Sequence, residues 1–573
     1  MDPNWLQQYD AGVPQALSYP DRTLSQLLTQ SASQFPDHHA LRFYGGHLSY
    51  RELSGLVDRF ATGLRAVHGK PGGVVGLMLP NLPQTVIGFF GGLRAGAVVT
   101  PINPLYVEAE IAQQVNDAGC ETVVALDQFY PRLAPLIGKT SLKRVVVTRP
   151  QEYLPWLKRL LYPLKAGRQG APTESLDAPP PLTWPQLLRQ VGDLPVDDAT
   201  PDALALLQYT GGTTGTPKGV MLTHRNLIAN AWQCRSWMPT LREGDEVFLG
   251  VLPFFHVYGM SVCQNIALTS GSTLVVLPRF QVTEVLETIV NERVTIFPGI
   301  PAMYQALTNN AQSAERFDLR TVRICISGAG PLQPSVQKRF EAMTGARLVE
   351  GYGLTEAGPV THVNPINCPA EQRRVRSIGV PVPGTEAKIV DMETGGRELP
   401  FETVGELIVR GPQVMQGYWR REEETRHVLR DGWLYTGDLA RRDQDGYFYL
   451  EDRKKDMIKS GGENVYPREV EDVLLRHPKV KEAVVVGLPR GLRGELIKAY
   501  VVLREGTQAT VVELLEHCRR DLAKFKVPKR VEFRKELPKT LVGKVLRRVL
   551  IEEERQKAQA AGDKESPPEG EEA

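Results

Sequence analysis

Apolar and polar positions alternate along the chain in the order expected of an α/β protein. From residue 73, short apolar runs alternate with amphipathic stretches. They predict three strands separated by two helices, at residues 73–79, 84–93, 97–100, 108–118 and 122–126. The same order recurs at residues 272–277, 284–293, 295–297, 302–312 and 322–327. Because alternating strands and helices favour parallel sheets, we expect two α/β subdomains.

The pattern changes twice towards the C-terminus. After Ile378, short alternating runs separated by glycine and proline predict a small β subdomain. After Arg453, the runs predict an α+β lid, with helices at residues 469–476 and 511–522 and strands at residues 482–486, 497–503 and 530–533. We therefore expect a large N-terminal domain at residues 1–453, a small C-terminal lid domain at residues 454–555 and a disordered polar tail at residues 556–573.

Composition narrows the class of protein. With 42% hydrophobic and 23% charged residues among 573, wholesale disorder is excluded. Lys and Arg number 68 against 66 Asp and Glu, so no overall positive field attracts nucleic acid, and no nucleic-acid partner is expected. The six cysteines form no CxxC pair, which suits a reducing compartment. With no visible signal peptide or membrane-spanning segment, we expect a cytoplasmic protein.

One segment combines apolar and basic residues. Residues 156–165 read WLKRLLYPLK, which mixes Trp, Leu and Tyr with three cations, Lys158, Arg159 and Lys165. This composition favours contact with a membrane surface, so we expect peripheral binding at the inner face of the membrane. A helix packed on the protein body is the alternative. Pro163 should limit any helix here to the first half of the segment.

A glycine- and threonine-rich segment follows an apolar run at residues 203–207. Residues 209–219 read YTGGTTGTPKG, with four glycines, four threonines and one lysine. Glycines let backbone N–H groups approach an anion closely, threonines add hydroxyl donors and Lys218 adds a cation. The pattern indicates a loop that holds a polyphosphate, with a flexible surface turn as the alternative. It is not a Walker A loop, because Pro217 precedes the lysine and Gly219 follows it.

Three other segments carry polar chemistry. In VEGYGLTEAGP (349–359), Thr355 beside Glu356 suits a hard Mg²⁺ ion, although Glu356 would equally suit the cap of a following helix. In YTGDL (435–439), the aspartate fits a turn. In EDRKKDMIKSGGENVYP (451–467), the basic residues fit a solvated charge run. The last two signals are weak when each is taken alone.

Taken together, the segments resemble the acyl-adenylate-forming enzymes, the superfamily of acyl-CoA synthetases, luciferases and adenylation domains of peptide synthetases. The match covers nearly the whole chain in eight ordered segments: TGGTTGTPKG (210–219), LPFFHVYG (252–259), SGAGPL (327–332), GYGLTE (351–356), GELIVRGPQVMQGYW (405–419), YTGDL (435–439), DRKKDMIKSGGENVYPREVE (452–471) and PKTLVGK (538–544). The Gly-Gly start of the loop and the DRKKDMI segment resemble bacterial long-chain fatty acyl-CoA synthetases.

The resemblance implies an ATP site. The residues expected to bind the phosphates are Thr210, Gly211, Gly212, Thr213, Thr214, Gly215 and Lys218. Those expected to sandwich adenine are Gly328, Ala329, Gly330, Glu350, Gly351 and Tyr352. Thr355 would contact the α-phosphate, Glu356 would hold Mg²⁺, Asp438 would accept from both ribose hydroxyls and Arg453 would bind the ribose and phosphate side.

It also implies roles for the lid, which would be mobile. Lys544 would reach the α-phosphate and the carboxylate during adenylation, and Lys455 falls at the expected hinge. Lys459, Gly461 and Gly462 would line the path of CoA. His256 would stand at the mouth of the acyl pocket, with a buried core histidine as the alternative. The catalytic residues expected on this basis are Lys544, Thr355, Glu356 and Lys455.

The implied reaction activates a fatty acid with ATP to acyl-AMP and transfers the acyl group to CoA, giving acyl-CoA, AMP and pyrophosphate. It requires no protein nucleophile, which agrees with the absence of a GxSxG segment. An aryl or a short- or medium-chain acid ligase of the coumarate type is the alternative, because these motifs recognise ATP and not the acid. A non-catalytic nucleotide-binding or membrane-surface protein is a remote one. Chain length and oligomeric state stay open, a homodimer included.

Overall fold

The computed structural model describes residues 4–68, 73–166, 179–210, 217–310, 316–369, 373–460, 463–489, 495–539 and 545–562. The chain divides into two compact units. The large unit comprises Met1–Ala387, Val409–Tyr435 and Asp445–Tyr447, and the small unit comprises Lys388–Ile408, Thr436–Gln444 and Phe448–Ala573.

The large unit contains two mostly parallel sheets, as the alternating pattern predicted. One has nine strands, in the order Val380–Pro381, Val360–Val363, Arg347–Gly353, Ile324–Ser327, Ile296–Gly299, Val247–Gly250, Thr273–Val276, His39–Phe43 and Gly46–Ser49. The other has eight, in the order Gly417–Tyr418, Lys218–Thr223, Leu204–Thr210, Val98–Pro101, Val74–Met78, Cys120–Leu126, Arg144–Thr148 and Leu182–Thr183. The central strands are parallel because helices connect them.

Helices fill the connections of the large unit. The α-helices are Leu24–Gln34, Tyr50–His68, Pro83–Arg94, Glu108–Ala118, Tyr130–Leu133, Trp156–Ala166, Trp184–Leu188, His224–Ser236, Val257–Gly259, Ile266–Thr269, Val282–Glu292, Pro301–Asn309, Pro334–Thr344 and Glu422–Val428. A π-helical turn spans Met260–Asn265, and 3₁₀ turns span Asn4–Gln8, Asp127–Phe129, Ala134–Leu136, Pro150–Tyr153 and Thr355–Ala357. The prediction of a helix at residues 108–118 is confirmed at both ends.

The small unit has an α+β core. Its three-stranded sheet runs in the order Val480–Pro489, Glu495–Leu503 and Arg530–Phe533, its helices are Pro467–Arg476, Val511–Asp521 and Arg547–Gly562, and its hairpin is Ile458–Ser460 with Glu463–Val465. Helix Pro467–Arg476 buries Val470, Val473 and Leu474, spaced as one helical face requires. The remaining strands of the described chain are Glu386–Val390, Gly405–Arg410, Leu429–Arg430, Trp433–Arg442 and Phe448–Arg453, of which Leu429–Arg430 belongs to the large unit.

The structure corrects one predicted helix limit and the start of the predicted tail. Helix Trp156–Ala166 continues past Pro163, because one proline removes a single backbone hydrogen bond while the residues on both sides remain compatible with a helix. Helix Arg547–Gly562 extends beyond residue 556, where a disordered tail was expected, because Gln, Lys and Ala in QKAQAA are good helix formers. Among the described residues, we find no helix with the length and hydrophobicity needed to span a bilayer.

Candidate active site

The predicted phosphate loop is framed by a hairpin. Strands Leu204–Thr210 and Lys218–Thr223 pair antiparallel, and their last registered pair is Thr210 with Lys218. Thr210 and Lys218 therefore lie directly opposite each other on the two strands, at the end that adjoins the loop. Five of the predicted phosphate-binding residues lie outside the described residues, namely Gly211, Gly212, Thr213, Thr214 and Gly215.

A half-buried carboxylate contacts the end of this hairpin that adjoins the loop. Asp117, at the end of helix Glu108–Ala118, accepts a hydrogen bond from the Tyr209 hydroxyl at 2.6 Å and forms an ion pair with Arg421 at 2.9 Å. The Trp419 indole donates to the Asp117 carbonyl at 3.0 Å. Burial, and then the neighbouring carboxylate, raise the pKa of Tyr209, so this hydroxyl stays a donor. A cavity of about 370 Å³ adjoins the network, lined by Gln113, Gln114, Asn116, Asp117, Tyr209, Pro217 and Arg421.

The acidic turn is joined to the hairpin through one aromatic side chain. Glu356 lies in the 3₁₀ turn Thr355–Ala357, and its Oε1 accepts a hydrogen bond from the Tyr418 hydroxyl at 2.8 Å. The Lys218 amine lies 5.2 Å from the centroid of the same ring. The carboxylate contacts Tyr418 from within the turn, in contrast to the helix-capping alternative. The structure thus brings Lys218 and Glu356 to one place.

The predicted adenine residues lie at the ends of two adjacent strands. Ser327 pairs in parallel register with Glu350, so residues 328–330 and 350–352 follow neighbouring positions of one sheet. A Cβ on Gly328 would come within 2.8 Å of the Tyr258 ring, which explains the need for glycine. Ala329 has a left-handed φ of 67°, which turns the chain sharply after the strand. This geometry brings the six residues together.

His256 lies immediately before the short helix Val257–Gly259. It is partly buried, and burial lowers the pKa of its imidazole, so the ring is neutral at pH 7. The next residue but one, Tyr258, donates its hydroxyl to the Ile326 carbonyl at 3.0 Å, which ties this segment to the strand that leads to Gly328. A role for His256 in an acyl pocket stays a prediction.

In the small unit, two predicted ribose residues form an ion pair. Asp438 and Arg453 are a registered antiparallel pair, and Arg453 Nε lies 3.0 Å from Asp438 Oδ1. Lys454 pairs with the largely buried Glu406 at 2.8 Å. Arg453 and Lys454 are therefore ion-paired residues, in contrast to the alternative of a solvated charge run. Lys455 follows them in the turn after strand Phe448–Arg453.

The CoA-path and lid residues are described only in part. Lys459 lies in strand Ile458–Ser460, and its backbone N–H donates to Glu495 at 2.8 Å. Gly461, Gly462 and Lys544 lie outside the described residues. Within the described ranges, no group of three or more His, Cys, Asp and Glu side chains is placed to hold a metal ion.

The two sheets, the glycine-rich hairpin and the acidic turn define an enzyme that uses a nucleotide to activate its substrate. The chain belongs to the AMP-binding enzyme family, whose model matches residues 28–419. The model for the C-terminal domain of these enzymes matches residues 469–544. The resemblance noted from the sequence and the predicted fold class are thereby confirmed.

Relatives match over almost their whole length. The chain is 44% identical over 554 residues to a long-chain-fatty-acid–CoA ligase of Bacillus subtilis, which covers 96% of this chain and 98% of that protein. It is 38% identical over 562 residues to the protein of the same name in Escherichia coli, with coverage of 96% and 98%. Among solved structures, ATP-bound MatB from Rhodopseudomonas palustris is similar with a TM-score of 0.79 and 30% identity, over 94% of this chain and 100% of that one.

Two residues of this site, Tyr418 and Asp117, had no role in the sequence analysis. Tyr418 lies in the quoted segment GELIVRGPQVMQGYW, but no short spacing connects it to Glu356, 62 residues away. Asp117 lies 92 residues before Tyr209 and 304 before Arg421. Contacts between residues so far apart in the sequence produce no periodic pattern, so the spacing of hydrophobic positions cannot predict them.

Proposed function

We propose that the protein converts a long-chain fatty acid to its CoA thioester in two steps, at the expense of ATP. The observation that supports the proposal most strongly is the contact of both Lys218 and Glu356 with the one side chain of Tyr418, because phosphates need a cation and a divalent cation needs a carboxylate. The family membership and the names of the two bacterial relatives support the choice of reaction and of acid.

In the first step, the fatty-acid carboxylate attacks the α-phosphorus of ATP and pyrophosphate leaves. A carboxylate needs this activation because its direct reaction with a thiol would expel oxide. Catalysis consists of positioning and of neutralising charge. Thr210 and Lys218 with residues 211–215 hold the β- and γ-phosphates, and Thr355 holds the α-phosphate.

Mg²⁺ fits the donors present. This ion is usually held by one or two carboxylates together with substrate phosphates and water, and Glu356 supplies one such carboxylate beside the phosphate hairpin. When bound, the ion neutralises part of the phosphate charge. Glu356 keeps one carboxylate oxygen on Tyr418 at 2.8 Å, which leaves the other oxygen for the ion.

For the rest of the nucleotide, residues 328–330 and 350–352 hold adenine. Asp438 accepts from the ribose hydroxyls, and Arg453 binds the ribose and phosphate side. Asp438 is buried and already has a fixed orientation through Arg453 at 3.0 Å, so it is prepared to accept a second set of donors.

In the second step, the CoA thiol attacks the acyl carbon and AMP leaves. We place a hinge at Lys455, between a domain at residues 1–453 and a lid at residues 454–555. The lid first presents Lys544 to the adenylate and then presents Lys459, Gly461 and Gly462 to CoA. Such alternation is a gating step.

We also propose that helix Trp156–Ala166 contacts an anionic membrane. Such a contact would bring the enzyme to its substrate, because long-chain fatty acids partition into bilayers. Trp156 is 77% and Leu160 is 68% exposed, and Leu157 and Leu161 are exposed too. These exposures disfavour the alternative of a helix packed on the body. The nearby cations Lys158 and Arg159 suit anionic headgroups. We place the protein in the cytoplasm, peripheral at the inner face of the membrane.

The membrane contact is tested by flotation with vesicles of phosphatidylglycerol and, separately, of phosphatidylcholine. The wild type should float with the anionic vesicles. The variant Lys158→Glu/Arg159→Glu should not, whereas Arg51→Glu, at an exposed arginine of helix Tyr50–His68, should still float. Equal flotation of wild type and the double variant would exclude this helix as the contact.

The reaction is tested by thioester formation with ATP, Mg²⁺ and CoA over acids from acetate to oleate, with coumarate added. We expect the highest kcat/KM with long-chain acids and acid-dependent release of pyrophosphate. A higher kcat/KM with coumarate would show that the substrate is an aryl acid and not a fatty acid. ATP binding without acid-dependent pyrophosphate release would indicate a non-catalytic protein.

A further inference from the structure

Tyr418 stands between two groups of opposite charge. Its hydroxyl donates to Glu356 at 2.8 Å, and its ring face lies 5.2 Å from the Lys218 amine. Burial, and then the nearby Glu356 carboxylate, raise the pKa of this phenol, so it remains protonated and donates. One side chain therefore makes a different contact with each charge.

The backbone around Tyr418 is held on several sides. Tyr418 pairs antiparallel with Val220 in the strand Lys218–Thr223 of the hairpin, and its N–H donates to Thr425 Oγ1 at 2.9 Å. The next residue, Trp419, donates its N–H to the Gly219 carbonyl at 2.7 Å. Tyr418 is only 8% exposed. Its position is thus set by the same strands that carry Lys218.

Without the ring of Tyr418, Lys218 and Glu356 would be free to form an ion pair with each other. Lys218 must bind phosphate and Glu356 must bind a cation, yet a lysine and a glutamate that both reach one side chain would otherwise pair with each other. Such a pair would have to break whenever the nucleotide binds. Within the described residues, the structure records no ion pair between Lys218 and Glu356.

We propose that Tyr418 is a positioning residue that keeps Lys218 and Glu356 apart, so that both remain available to the nucleotide. The ring holds the amine through a cation–π contact, which is weaker than a direct ion pair and is readily exchanged for a phosphate. The hydroxyl orients the carboxylate. This inference rests on the proposed binding of ATP at the hairpin and adds a residue that serves it.

The proposal predicts how substitutions change ATP affinity, measured by calorimetry in EDTA so that no metal contributes. Tyr418→Leu removes the ring, allows the ion pair and should raise the Kd about tenfold, the equivalent of about 1.4 kcal/mol. Tyr418→Phe keeps the ring and should stay within about threefold of the wild type.

The decisive measurement is a rescue. Glu356→Gln removes the charge that would capture Lys218, so it should lower the Kd for ATP about tenfold more in the Tyr418→Leu background than in the wild-type background. Equal effects in the two backgrounds would overturn the proposal. If wild-type protein fails to bind ATP under any condition, the proposed function fails first, and the two failures are thus distinguished.

Controls separate this role from a structural one. Tyr449 makes the same two kinds of contact, with Arg441 at 4.2 Å and Asp443 at 2.9 Å, outside the predicted nucleotide segments. Tyr449→Leu should leave the Kd for ATP unchanged. Should Tyr418→Leu not fold, the pair Lys218→Met and Glu356→Gln decides in urea unfolding: additive shifts of the midpoint support separation of the charges, and strong coupling contradicts it.

Discussion

Replacing Asp117 by alanine removes the acceptor of two hydrogen bonds beside the predicted phosphate loop. One is donated by the Tyr209 hydroxyl at 2.6 Å and the other by Arg421 at 2.9 Å. Hydrogen bonds to charged groups contribute about 1.5–3 kcal/mol each, and the contribution of Arg421 must be reduced because its side chain is 32% exposed. We therefore expect the variant to lose about 3 kcal/mol of the free energy of unfolding of the large unit.

Asp117→Ala should also weaken the binding of ATP. Tyr209 immediately precedes Thr210, which pairs with Lys218, so a loosened Tyr209 shifts the hairpin that holds the phosphates. We expect the Kd for ATP to rise several-fold. The assays are urea unfolding followed by tryptophan fluorescence, and calorimetric ATP titration of the same preparation.

Two variants serve as controls for Asp117. Tyr209→Phe removes only one of the two hydrogen bonds and should cost about 1.5 kcal/mol, less when Asp117 is already replaced. Asp318→Ala removes a carboxylate that is 60% exposed and pairs with Arg320, and should change stability by no more than about 0.5 kcal/mol. The reasoning is refuted if Asp117→Ala is as mild as Asp318→Ala, or if its effect adds to that of Tyr209→Phe.

Three further predictions concern two lid residues and one buried histidine. Lys544→Ala should abolish acid-dependent pyrophosphate release yet still convert supplied acyl-AMP and CoA to thioester; an equal fall in both half-reactions would contradict the assignment. Lys455→Pro should fix the backbone at the hinge, preserving pyrophosphate release while thioester formation falls by orders of magnitude; parallel loss, or no loss, measured beside the melting temperature, would remove Lys455 as the hinge. Burial lowers the pKa of His224 to about 4, and its Nδ1 accepts from the Leu24 N–H at 3.2 Å. The unfolded chain therefore binds a proton first as the pH falls, so stability should decline by about 3 kcal/mol between about pH 6.5 and 4, and His224→Asn should lose this slope in urea unfolding at several pH values.

Much of the fold could be predicted because its signals are local. The strands of the parallel sheets are continuous apolar runs, as at Val74–Met78, where all five residues are buried. Helix Glu108–Ala118 buries Ile111, Gln114, Val115 and Ala118, which follow helical spacing. The prediction that helix Trp156–Ala166 ends at Pro163 was wrong, because the rule for proline gives only the cost of that one residue. It does not include the favourable contributions of the other residues in the helix.

The candidate site was predictable only where a motif is contiguous. Thr210, Lys218, Thr355 and Glu356 belong to short segments whose residue types point to phosphate and metal chemistry by themselves. Tyr418 and Asp117 contact residues that come close only in the folded chain, so no short segment of the sequence predicts these contacts. The pairing of Asp438 with Arg453 is of the same kind, since register places them opposite each other.

The central claim, that the acid is activated as an adenylate, is tested most directly by following oxygen. The enzyme is given a long-chain fatty acid labelled with ¹⁸O in its carboxylate, together with ATP, Mg²⁺ and CoA, and the nucleotide product is analysed by mass spectrometry. Attack of the carboxylate on the α-phosphorus, followed by expulsion of AMP by the thiol, should leave one labelled oxygen on the phosphate of AMP. Unlabelled nucleotide with the label in inorganic phosphate would show an acyl phosphate route and contradict the account.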